Sequence, residues 1–132
     1  MIVGYLIILF TLVPVVELYF LIKIGAYIGA LNTVMIVIIT GVAGAVLARQ
    51  EGFKVLRRIQ DDMDNLRMPA DSLLDGFFVL VGGILLLTPG FVTDTLGFIL
   101  VIPFTRKILR RVLKKKIQRH FERGDTIIID QR

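Results

Sequence analysis

Residues 73–103 read LLDGFFVLVGGILLLTPGFVTDTLGFILVIP. The run is apolar enough for a bilayer, yet Thr88-Pro89-Gly90-Phe91-Val92-Thr93-Asp94 interrupts its middle. A single helix of this length would reach roughly 46 Å. That is far more than a hydrocarbon core of about 30 Å, and each half alone is too short to span it. Pro89 removes a backbone donor, and Pro-Gly is a strong turn signal. The stretch therefore reads as a broken, re-entrant helical hairpin whose turn is Pro89, Gly90 and Phe91. Its first arm, 73–87, rises roughly 22 Å, which places the tip in the far half of the bilayer. Irregular backbone at that depth must be covered by protein or water.

The rest of the chain supplies that cover. Of 132 residues, 55% are hydrophobic, in long runs bounded by charges, as in an integral membrane protein. Residues 2–24 form a first transmembrane helix, with Pro14 inside it and Glu17 one turn later. No charged leader precedes it, so it reads as a retained helix and not a cleaved signal. Tyr19, Phe20, Tyr27 and Lys23 mark an interfacial belt, and the segment from Gly25 to Gly29 reads as the turn. Residues 28–48 form a second transmembrane helix. Thr40, Gly41, Gly44, Ala45 and Ala48 make a small-residue stripe that lets another helix approach closely.

Residues 49–68 are polar and amphipathic. Leu56, Ile59, Met63 and Leu66 give a short seam, suited to the membrane surface, to the rest of the chain, or to a second copy. Pro69 ends the segment, and Asp71 is placed to cap the next helix. After the hairpin comes a basic amphipathic helix, with Arg106, Lys107, Arg110, Arg111, Lys114, Lys115, Lys116 and Arg119 around an apolar stripe. The block directly follows bilayer-depth sequence. An anionic leaflet, and no nucleic acid, is its expected partner. Residues 125–130 read as a short strand or tail. The expected fold is thus all-α, with a membrane domain at 1–105 and a basic cytoplasmic helix and tail at 106–132.

Charge sets the expected sides. Nine of the sixteen Lys and Arg lie between Arg106 and Arg123, and five more between Arg49 and Arg67, whereas the first turn holds only Lys23. Positive-inside bias puts both basic flanks and the N-terminus in the cytoplasm, so the hairpin must start and finish on that side; one distorted crossing, which leaves the basic tail outside, is the alternative. Counting up the first helix then brings Glu17 to the depth of Thr93 and Asp94. Lys23 lies further out.

Ionisable groups at that depth are functional candidates, because an unpaired charge there costs several kcal/mol. If Glu17 and Asp94 meet, they would share a proton or bind a cation. Their structural readings are an N-cap of the second arm for Asp94, and for Glu17 a reach to the interface, a pair with Lys23 or a hydrogen bond as a neutral acid. There is no Cys and a single His, His120. No nucleophile with a base, no phosphate-cradling loop and no metal-ligand spacing is visible. Neither an enzyme, a cofactor nor a metal site is implied.

Three motifs resemble the FxsA family of small bacterial inner-membrane proteins: Glu17-Leu18-Tyr19-Phe20-Leu21-Ile22; Gly44-Ala45-Val46-Leu47-Ala48-Arg49-Gln50-Glu51-Gly52; and, most specifically, Leu87-Thr88-Pro89-Gly90-Phe91-Val92-Thr93-Asp94-Thr95-Leu96-Gly97. The resemblance implies a protein of the bacterial inner membrane and names no reaction. The family takes its name from a member that, in excess, relieves the phage exclusion imposed by an F plasmid. That phenotype implies interaction with other membrane proteins or protection of the membrane. The tail is short and basic, unlike the long acidic ends of some members. The function expected is therefore self-assembly or interaction with membrane proteins or lipids, most simply as a homo-oligomer. A small ion or lipid transporter using Glu17 and Asp94 is the alternative.

Overall fold

A computed structural model describes residues 1–125, with side chains described through residue 122. Five helices follow in order: α1 (Ile2–Ile28), α2 (Ala30–Asp64), α3 (Ala70–Leu87), α4 (Phe91–Val101) and α5 (Pro103–Asp125). Three of them, α1, α2 and α3, are long and apolar enough to cross a membrane; α3 begins at Ala70, ahead of the apolar run, so the first arm is longer than the sequence suggests and is not too short to span. Among the described residues no strand forms, and the segment expected as a strand lies beyond them except for Asp125, which ends α5.

The helix boundaries differ from expectation in instructive ways. The first turn contracts to Gly29 alone, whose φ of 90° lies where a side chain is disfavoured. The second transmembrane helix and the amphipathic segment are one helix of 35 residues, about 52 Å long. No proline interrupts them, and Gly52 alone does not outweigh the strong helix formers around it. The polar half of α2 therefore continues the membrane helix. Leu66, the last position of the expected seam, falls outside α2 with φ 55° and is exposed. Asp71 does not cap α3: the N-cap is Pro69, and the Asp71 carboxylate pairs with Lys114.

The core is thin and built from branched side chains seated on glycines. Leu86 of α3 fills the space over Gly44 of α2 and Gly97 of α4; a Cβ on Gly97 would lie 2.6 Å from Leu86 Cγ. Val101 fills the space over Gly82, and Val55 faces Gly76. These contacts bring α3 and α4 backbone to backbone at Gly82 and Gly97 and seat α3 side chains on the glycines of α2, as helices pack where apolarity alone gives no preference. They also show that α3 and α4 run antiparallel, with Leu86 level with Gly97 and Gly82 level with Val101. Pro103 opens α5, where its missing N–H is not needed.

Candidate functional site

The break between α3 and α4 is where α1 is fastened. Glu17 is the one buried residue of α1. Its Oε1 accepts the Thr93 N–H at 2.6 Å and its Oε2 accepts the Val92 N–H at 3.2 Å. A carboxylate from one helix thus satisfies the open N-terminus of another, where the helix dipole favours negative charge. Gly90 makes this approach possible, since a Cβ there would collide with the Glu17 carboxylate. The Thr93 hydroxyl donates back to Thr88 O at 2.9 Å and closes the turn.

Asp94 is buried beside this cap but does not serve as it; Gly90 is the N-cap residue of α4 and Glu17 supplies the acceptor. Asp94 Oδ2 instead lies 2.8 Å from Thr40 Oγ1 of α2. Ile36 O at 2.9 Å and Val37 O at 3.1 Å compete for the single Thr40 proton. Asp94 Oδ1 is buried with no hydrogen-bond partner among the described residues. The structure therefore brings Glu17, Thr93 and Asp94 together and adds Thr40, expected only as a packing residue. Lys23 stands apart. It is exposed, and its Nζ donates to Tyr19 Oη at 3.3 Å.

A second polar cluster closes the opposite end of the hairpin. Arg106, at 3% exposure, donates to Glu51 Oε2 of α2 at 3.3 Å and to Val101 O at 2.9 Å, and its Nε lies 3.6 Å from Asp75 Oδ1 of α3. Asp75 Oδ2 also takes Arg58 at 3.1 Å and Arg110 at 2.9 Å. Ser72, buried, donates to Asp62 Oδ2 at 2.7 Å. Together with Asp71–Lys114, these pairs fasten α2, α3 and α5 to one another. Two of the cations read as lipid-facing in the sequence are thus occupied inside the protein: Arg106 is fully buried and Arg110 half-buried. Lys107, Arg111, Lys115, Lys116 and Arg119 are exposed. The cluster had a legible sign in Asp75, an acid within an apolar run, but its partners come from distant segments.

Of the small-residue stripe, Gly44 packs on Leu86 and Ala48 lies beside Gly83, while nothing comes within 4 Å of a Cβ placed on Gly41. Ala45 and Ala48 line an open apolar groove of about 520 Å³ between α2 and α3, which continues past Gly52 to Leu56 and Ile59.

A family model described as FxsA cytoplasmic membrane protein matches residues 8–116, which include both polar clusters. The chain belongs to the FxsA family. It is 37% identical over 125 residues to UPF0716 protein YtzA of Bacillus subtilis, covering 95% of this chain and 98% of that protein. It is 36% identical over 94 residues to UPF0716 protein FxsA of Escherichia coli, covering 71% of this chain and 60% of that one. No solved structure matches. The FxsA description and the three long apolar helices agree on a membrane protein.

Proposed function

We propose that this chain is a non-enzymatic integral membrane protein that acts by lateral association with further copies of itself or with other membrane proteins and lipids. The observation that carries the reading is the bareness of α1: of its 27 residues only Glu17 is buried. A helix so exposed leaves almost its whole length to a neighbour, and the groove between α2 and α3 offers small-residue contacts of the kind membrane helices use. In this reading α3 and α4 form a re-entrant hairpin, with both polar flanks and both termini on the cytoplasmic side. Support comes from the meeting of Asp71 and Asp75 with Lys114, Arg106 and Arg110 at one end of the antiparallel pair. Phage-exclusion relief, implied by the family resemblance, fits a protein that works through membrane partners.

The test is native mass spectrometry from mild detergent together with crosslinking in membranes. A defined oligomer with crosslinks along α1 is expected. A monomer without crosslinks to itself or to other membrane proteins rejects the reading.

A second reading is favoured by one observation, the buried Asp94 Oδ1 that lacks a donor beside the Glu17 cap. An acid in that state at a broken helix is the kind of group on which transporters build proton or cation sites.

A further inference from the structure

The first turns of α5 carry three distinct faces. One is turned inward: Arg106 is buried, and Leu109 and Leu113 are half-buried. The second is apolar and exposed: Phe104, at 73% exposure, with Ile108 and Val112 following at i+4 and i+8. The third lies beside it and is basic. Lys107, Arg110, Arg111 and Lys114 line a cleft of about 220 Å³ against the start of α3, with Asp71 as its one acid.

The charges in this cleft are not balanced from within. Lys114 is paired with Asp71, and Arg110 commits Nη1 to Asp75. Asp75 is already shared with Arg58 and Arg106. Lys107 and Arg111 carry no ion pair among the described residues. Two cations one turn apart therefore face the cleft with no ion pair of their own, its one acid, Asp71, being held by Lys114. The cleft sits about five residues after the last turn of the membrane-depth helix α4. That is the headgroup level if α4 returns toward the cytoplasm, and the exposed Phe104–Ile108–Val112 ridge beside it is suited to acyl chains.

We propose that this cleft binds the phosphate of an anionic phospholipid, with Lys107 and Arg111 as its principal ligands and Arg110 offering its remaining N–H groups. The proposal rests on the membrane placement above and names a discrete site where that reading has only a basic surface. Phosphate takes several N–H donors at once, and the planar guanidinium of Arg111 suits two of its oxygens. The exposed apolar ridge is what distinguishes a lipid from a free anion as the occupant.

The experiment is native mass spectrometry of the full chain in detergent with phosphatidylglycerol or phosphatidylcholine added at equal concentration. Adducts are counted on whichever oligomer the spectrum contains, so failure here and failure of assembly are read separately. Phosphatidylglycerol adducts should exceed phosphatidylcholine adducts, and should fall roughly tenfold in the double variant Lys107→Gln/Arg111→Gln. The control Lys116→Gln/Arg119→Gln removes the same charge elsewhere on α5 and should retain them. All four side chains are exposed, and circular dichroism verifies that helix content is unchanged. Equal loss in both variants means diffuse attraction and overturns the site. So does an absence of preference between the two lipids. Displacement of the lipid by an equal concentration of inorganic phosphate assigns the cleft to free anions and overturns the lipid.

Discussion

At the scale of single residues, the informative one is Glu17. Its two carboxyl oxygens take the first free N–H groups of α4, Thr93 at 2.6 Å and Val92 at 3.2 Å. Glu17→Gln keeps one acceptor oxygen and replaces the other with an amide nitrogen that cannot accept. It should lower stability in detergent by about 1–3 kcal/mol. Asp94→Asn keeps a carbonyl for Thr40 and should melt close to wild type. If the transport reading holds, Asp94→Asn in proteoliposomes abolishes a proton or monovalent-cation flux that the parent chain supports. Absence of flux in the parent, or unchanged flux in the folded variant, leaves these acids with structural roles only.

Between elements, ion pairing does what apolar burial does in soluble proteins. Among the described residues the buried hydrophobic core is only Val55, Val79, Leu86 and Val101, whereas Glu51, Asp75 and Arg106 are equally inaccessible. Removing one partner of a buried pair strands the other, at about 3–5 kcal/mol. An exposed pair is worth about 0–1 kcal/mol. Asp75→Asn leaves Arg58 and Arg110 without their shared acid and leaves buried Arg106 with Glu51 as its remaining acid. Asp71→Asn breaks only the exposed pair with Lys114. Thermal unfolding in detergent should therefore drop steeply for Asp75→Asn and barely for Asp71→Asn. Equal shifts would show that the buried cluster does not organise the helices.

For the whole molecule, the question is which way the elements face. The chain has no Cys, so single cysteines can be introduced on a silent background. Cysteines at Ile2, Asn65 and Gln118 should label from the cytoplasmic side, and one at Gly25 from the opposite side. Labelling of Gln118 from outside would end the re-entrant placement of α3 and α4.

What was legible in the chain by itself follows from its one-dimensional physics. Apolar length marked the membrane helices, Pro89-Gly90 marked the break, and counting residues along α1 placed Glu17 level with Thr93 and Asp94. Depth is a sum over residues, so a sequence carries it. The join of residues 28–48 to 49–68 was hidden because polarity changed there while the backbone had no reason to stop. Pairing was hidden for a different reason. Whether Glu17 caps α4, whether Thr40 reaches Asp94, and whether Arg106 turns toward Glu51 and Asp75 and away from lipid depend on the rotation of each helix about its axis. In this chain glycines set that rotation. Leu86 seats on Gly44 and Gly97, and Val101 on Gly82, and only tertiary structure shows which side chain meets which notch.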